Sequence, residues 1–194
     1  MSRSVNARQR QKSKSRQKIL DAASKRLRIG GPNNVGISAV SADAGLTHGA
    51  FYGHFSNKDE LTVAAFSHAL EGSQPQWFSE ADGADNFDTR LARLAGSYLS
   101  QKHRDNPAEG CAIAALSSAM EMASKKFKAS YSEAIERTVQ DIAEHNPAYV
   151  DRAIDFLATM IGGINLARNT TDQKFSDQIL RLTVARFTKQ SKSD

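Results

Sequence analysis

Apolar side chains recur at helical spacing along most of the chain, and turn residues separate the runs. Ile19, Leu20, Ala23 and Leu27 form one stripe with Lys and Arg between them, which predicts a helix from Arg16. Gly30-Gly31-Pro32 ends it, because glycine suits a helix C-terminus and proline cannot continue the ladder. Ile37, Val40, Ser41 and Ala44 predict a short second helix that Gly45 stops. Thr47 suits the N-cap of a third, over 48–55, since its hydroxyl oxygen can accept a backbone N–H bond. Ser56 is the expected cap of a fourth, running to about Leu70, with Asp59 and Glu60 where the helix dipole favours carboxylates. Residues 73–86 hold Pro75, Gly83 and few aliphatics and read as a loop, although they carry the only tryptophan, Trp77, beside Phe78. Further helices are expected over 87–103, 110–123, 124–145, 148–168 and 172–189. No segment sustains the period-two alternation of a half-buried strand, so the expected class is all-α with about nine helices.

Charge changes the picture. Residues 1–58 hold eleven Lys and Arg against Asp21 and Asp43, a net +9, whereas residues 59–194 carry −4. A basic third on an acidic body predicts an anionic partner at one end only, either nucleic acid or an anionic membrane surface. Residues 1–15 lack apolar periodicity and are expected to be a flexible basic arm. Composition excludes other classes. With 40% apolar residues the chain can bury a core, and one cysteine cannot build a disulfide scaffold. The most apolar uncharged run, 156–167, has twelve residues, where a membrane span needs roughly 20. The first eight residues have no apolar signal region, so a cytoplasmic protein is expected.

The short helices carry the most specific signal. Three of them, with a tight glycine turn between the second and third, make a helix-turn-helix. Ala44, Leu46, Phe51 and Phe55 are expected to pack its core, leaving Thr47, His48, Gly49, Tyr52 and His54 towards the outside. Gly49 would let the backbone approach DNA closely. The frame Ala44-Gly45-Leu46-Thr47-x-Gly49-x-Phe51-Tyr52-x-His54-Phe55-x-x-Lys58-x-x-Leu61, preceded by Ile19-Leu20-x-Ala22-Ala23, resembles the tetracycline-repressor (TetR/AcrR) family. It covers residues 16–62, about a quarter of the chain. The resemblance implies that Thr47, Tyr52, His54 and Lys58 meet phosphates and that His48 and Gly49 lie at the bases. Two positions depart from the frame: Gly36 stands where Ser or Thr often caps the second helix, and Gly53 falls inside the expected third helix. The resemblance divides the chain into an arm (1–15), a DNA-binding domain (16–62) and a larger helical effector-binding and dimerisation domain (63–194).

The last two predicted helices are apolar on two sides. One carries Phe175, Ile179 and Leu182 beside Leu180, Val184 and Phe187; the other carries Ile154, Leu157, Ile161 and Ile164 beside Phe156, Met160, Gly163 and Ala167. Such helices need two partners, which a four-helix bundle with a symmetry mate supplies and one large monomeric core would also supply. The resemblance favours the homodimer, with Ile154, Leu157, Ile161, Gly162, Leu180, Val184 and Phe187 at its interface. In between lie Trp77, Phe78, Tyr98, Cys111, Met120, Met122, Phe127 and Tyr131. Aromatics and methionines at this spacing suit plain core, but the resemblance implies a small-molecule cavity. Its candidate walls are Tyr98, Cys111, Met120, Tyr131, Phe156 and Met160, suited to an apolar or amphipathic organic effector.

The expected function is therefore a DNA-binding transcriptional regulator, a dimeric repressor of a palindromic operator that an organic effector releases. Two other controls remain open: a protein partner docking on the body, or redox or electrophile chemistry at Cys111, expected at a helix start. An enzyme is not expected. The chain has no Gly-x-Ser-x-Gly elbow, P-loop, His-Glu-x-x-His or Cys-x-x-Cys, and its five histidines are scattered. His54 has no His four residues on and no nearby Cys, so neither a metal nor a cofactor is expected.

Overall fold

The computed structural model describes residues 2–121 and 123–188, with side chains from residue 7. Met122 and the expected end of the last helix at Lys189 lie outside the described residues. Ten α-helices and three 3₁₀ turns make up the described fold, with no strand among them. The all-α class stands, and the tenth helix has a simple origin. The expected helix over 87–103 divides into α5 (Phe87–Tyr98) and α6 (Gln101–Asp105), because the Ser100 hydroxyl caps α6 by accepting from His103 N–H.

At the N-terminus, α1 spans Ser2–Gly30, so the expected arm is a helical extension of the first helix. Residues 2–29 contain neither Gly nor Pro and are rich in Lys, Arg, Gln and Ala, which all favour helix. The core begins only at Ile19, and residues 7–14 are exposed. Gly31, at φ 68°, turns the chain. Next come α2 (Ile37–Asp43) and α3 (His48–Phe51). The third helix is shorter than expected, with Tyr52 as its C-cap and Gly53 just beyond. Asn57, not Ser56, caps α4 (Lys58–Ser79) by accepting from Glu60 N–H at 2.9 Å. Ser56 instead donates its N–H and its hydroxyl to the Glu60 carboxylate.

The expected loop over 73–86 is corrected over its first half: α4 continues through Pro75 to Ser79. Proline removes one ladder bond. Anchors on either side offset that loss: Gln74 donates to Thr138 Oγ1 at 2.6 Å, and Trp77 Nε1 donates to the Leu94 carbonyl at 3.0 Å. The expected helix over 110–123 shrinks to α7 (Ala112–Leu116). Three longer helices complete the fold: α8 (Lys125–Ile142), α9 (Val150–Arg168) and α10 (Gln173–Thr188). Glu144 and His145, both at positive φ, end the turn after α8 ahead of Pro147.

Two apolar cores share these helices. One joins α1–α4 to α7 and α8 through Leu27, Phe51, Phe66, Ile113, Phe127 and Tyr131. The other lies among α5, α8, α9 and α10. The division at residue 62 thus falls inside α4 and inside the first core. Phe66 is fully buried with its ring 5.5 Å from Phe127 and 5.7 Å from Tyr131. Phe66→Ala should cost about 3–5 kcal/mol. Because that core crosses the division, urea denaturation followed by near- and far-UV circular dichroism should shift as one transition. Separate unfolding of the N-terminal helices would contradict the shared core.

Candidate nucleic-acid interface and cavity

The outer face of α3 is built by what lies beneath it. Phe51 and Phe55 are buried against α1 and α4, and Leu46 packs on the same core. Gly45, at φ 65°, makes the turn from α2, and Leu46 N–H closes it by donating to the Ser41 carbonyl at 2.9 Å. Thr47 caps α3 by accepting from Ala50 N–H. With Phe51 turned inward, helical spacing sends Thr47, His48, Gly49 and Tyr52 outward, and all four are exposed. Tyr52 is 57% exposed, its ring edge-on to His48 at 5.5 Å and to Phe51 at 5.2 Å. Nothing lies within 4 Å of the place where a Gly49 Cβ would stand. Lys58 is exposed at the start of α4.

His54 differs from the other five candidate DNA residues. It is half-buried, its Nδ1 is buried without a hydrogen-bond partner, and desolvation, Lys12 and Arg16 together lower its pKa. Lys12 and Arg16 therefore face the same side of the molecule as α3. Arg16 also lies over the Phe55 ring, 5.3 Å from its centre. The α1 extension thus brings its charge beside the exposed face of α3.

A cavity of about 310 Å³ opens in the body. Of the six expected wall residues, Tyr98 and Cys111 line it. Phe156 and Met160 are fully buried in the second core, Tyr131 is tied into the first by donating its hydroxyl to the Ile113 carbonyl, and Met120 packs on that first core. None of these four lines this cavity. The walls that sequence reasoning missed include Gln74, Trp77, His103, Ile113 and Thr138. Reading 73–86 as a loop hid Gln74 and Trp77, and His103 gave no signal in isolation. The lining is more polar than an apolar effector would need.

His103 is bonded there through both ring nitrogens. Its Nδ1–H donates to the Tyr98 carbonyl at 2.7 Å, and its Nε2 accepts from Cys111 N–H at 3.0 Å. That arrangement fixes the neutral tautomer. Burial, helped by the positive Arg168, pushes its pKa down to about 4 against the Tyr98 hydrogen bond. Gly110 sits where a Cβ would come within 2.6 Å of Arg168 Nη2 and 2.8 Å of His103 Nε2, so only glycine fits. Beside them the Tyr98 hydroxyl is buried without a hydrogen-bond partner, and burial followed by the proximity of Cys111 raises its pKa. Cys111 is the N-cap residue of α7, a helix too short to lend its N-terminus much field.

The expected dimer face needs a correction. Leu157, Leu180 and Phe187 are buried within the protomer, and Val184 is partly buried against the same core. The α10 stripe that faces out is the other one: Phe175 is 56% and Leu182 54% exposed. On α9, Ile154 and Leu166 are 51% and 63% exposed, Gly162 is exposed, and Ile161 is half-buried. Sequence periodicity found both stripes but could not say which faces the protomer's own core.

Residues 19–65 match the family model described as bacterial regulatory proteins, tetR family. No curated protein sequence matches the chain. Solved structures share its fold at low identity. A TetR transcriptional regulator from Chloroflexus aurantiacus J-10-FL superposes with a TM-score of 0.77 at 19% identity, over 93% of this chain and 95% of that one. For E. coli NemR in its reduced form the values are 0.74, 16%, 90% and 96%. For a cysteine-substituted TetR-family regulator CifR, complexed with 26-bp double-strand operator DNA, they are 0.70, 14%, 87% and 94%.

The buried His103 makes stability depend on pH. An unfolded chain takes up the proton near the ordinary value of 6.5 and the folded one only near 4, so acid favours unfolding between them. Stability should therefore fall by about 3 kcal/mol as pH drops through that window. His103→Gln should flatten this part of the profile in urea melts. An unchanged slope would show that His103 takes up its proton freely in the folded protein.

Proposed function

We propose that this chain, a DNA-binding transcriptional regulator of the tetR family, works as a homodimeric repressor released from a palindromic operator by a small organic effector. The observation that carries the DNA reading is the exposed face of α3 within a basic third of the chain. Thr47, Tyr52 and Lys58 are the phosphate contacts in this reading, and His48 and Gly49 meet base edges in the major groove. His54 acts from the half-buried edge of the same surface. The exposed residues of α1 add phosphate contacts beyond the helix-turn-helix. Over these residues Arg8, Lys12 and Arg16 follow one another at four-residue intervals on one face, and Arg10, Lys14 and Lys18 on another.

The effector site is the cavity lined by Trp77, Tyr98 and His103. Its buried, unpartnered Tyr98 hydroxyl supports an effector that offers a hydrogen-bond acceptor beside an aromatic or aliphatic part. The dimer face is the apolar strip of α9 and α10 formed by Ile154, Leu166, Phe175 and Leu182, each more than half exposed among the described residues. No helix among the described residues is long and apolar enough to cross a membrane.

Two measurements test this. A duplex selected from a random pool should bind the protein, and Lys58→Ala should weaken all duplexes alike while reducing the salt slope by roughly 0.9. Tyr52→Phe should also weaken them uniformly, whereas His48→Ala should change the sequence selected. An unchanged preference after His48→Ala would remove its base-reading role.

Leu182→Glu should give a folded monomer at micromolar concentration by sedimentation, with much weaker operator binding. Leu180→Ala should instead cost about 2–5 kcal/mol of protomer stability, since that side chain is core. A Leu182→Glu variant that stays dimeric would move the interface elsewhere.

A further inference from the structure

We propose that Arg28 is the positioning residue through which the cavity controls the helix-turn-helix. This rests on the reading of α3 as the DNA surface and of the cavity as the effector site. Arg28 is a buried arginine at the end of α1, and it has no ion-pair partner among the described residues. Its fork instead spans two backbone carbonyls on different elements. Nη1 donates to the Ala108 carbonyl at 2.9 Å, and Nη2 donates to the Ala69 carbonyl at 2.9 Å. Its Nε is buried without a partner, and burial lowers its pKa against the opposing field of Glu109.

Both acceptors stand directly behind the cavity lining, on the elements that carry it. Ala108 lies in the 3₁₀ turn Pro107–Glu109, flanked by the wall residues Asn106, Glu109 and Gly110. Ala69 lies on α4 just before the wall residues Gly72 and Ser73, and the Ser73 hydroxyl donates to the same Ala69 carbonyl at 3.0 Å. A molecule that changes the gap between α4 and the 107–109 turn therefore changes the span that Arg28 bridges. A buried guanidinium cannot exchange these carbonyls for water without large cost, so it follows its acceptors. One residue pair nearer the start of α1, Arg26 holds Asp43 with two bonds of 2.6 and 3.2 Å. Asp43 ends α2, immediately before the Gly45 turn that sets α3. The path runs from cavity wall to Arg28, along α1 to Arg26, and through Asp43 to the DNA-facing helix.

Cys111 is the only cysteine and lines the cavity, so it supplies a site-specific wedge. Iodoacetamide replaces its thiol hydrogen with a carbamoylmethyl group and releases iodide. Alkylation of the full chain is verified by mass, with Cys111→Ala as the control. The labelled protein should show at least 5-fold faster amide exchange over residues 19–51 while α9 keeps its protection, and at least 10-fold weaker binding to the selected duplex. In Arg28→Met, which has no donor for either carbonyl, and in Arg28→Lys, which lacks the planar fork, the label should change either readout by less than about 2-fold.

Unchanged exchange over 19–51 in labelled protein overturns the proposal. So does an Arg28 variant that responds like the unsubstituted chain, or loss of α9 protection as well, which means general destabilisation. If neither variant folds, the exchange measurement on the unsubstituted chain decides. If no duplex is selected at all, the DNA reading fails, while the exchange measurement still decides the role of Arg28.

Discussion

Everything in this fold depends on α4 remaining one helix. Its first half, from Leu61 to Leu70, is core for the helix-turn-helix, and its second half carries Trp77 and Phe78 into the other core. Pro75 sits between them, where a helix usually breaks. The bond lost there is offset by the tertiary grip of Gln74 on Thr138 and of Trp77 on Leu94. A continuous α4 makes the wall of the cavity and the support of α3 parts of a single rigid element. Strain at one end therefore reaches the other without a hinge to absorb it.

The parts of the fold legible in the sequence were those decided locally. The Gly45 turn, the Thr47 cap and the inward Phe51 and Phe55 follow from residue type and spacing, and each stands in the structure. What stayed hidden was decided by distant contacts. Pro75 argued for a loop because the sequence does not show the Thr138 and Leu94 that hold its neighbours. The α1 extension has no apolar stripe and so looks like an arm in the sequence, yet helix propensity alone favours it. Phe175 and Leu180 are both on apolar stripes of α10, and only packing tells that one is exposed and the other is core. The cavity and its surroundings were the least legible, since His103 in the wall and Arg28 behind it bond to backbone carbonyls that any sequence provides.

Buried polar groups cluster around the cavity. Arg28, His103 and the Tyr98 hydroxyl all lie at or beside the cavity, each with an incomplete set of partners or a depressed readiness to carry charge. An apolar filling would be cheaper for stability alone. Retaining polar groups at this junction ties helix ends and turns together through backbone carbonyls, which a packed aliphatic core does not do. Gly110 fits the same logic: it exists so that His103 and Arg168 can close on the backbone, and Arg168 in turn donates to the His103 carbonyl at 2.7 Å.

The segregated charge has an energetic consequence for the DNA-facing end. Along α1 the basic residues fall at four-residue spacing, Arg8 to Lys12 to Arg16 and Arg10 to Lys14 to Lys18, with no acidic residue before Asp21. Each like-charged pair opposes helix by a few tenths of a kcal/mol, and positive charge near a helix N-terminus opposes it further. Among the described residues none of these six forms an ion pair, and Arg16 alone lies close enough to a carboxylate, Glu60, to shift it, so the extension is more stable against a polyanion than in isolation. The ion pair that ties a basic residue of α1 to the acidic body, Lys25 to Glu109, lies near the other end of the helix. In the proposed reading the N-terminal part of α1 gains helix stability from the phosphates it would meet, which couples its order to occupancy of the α3 surface beside it.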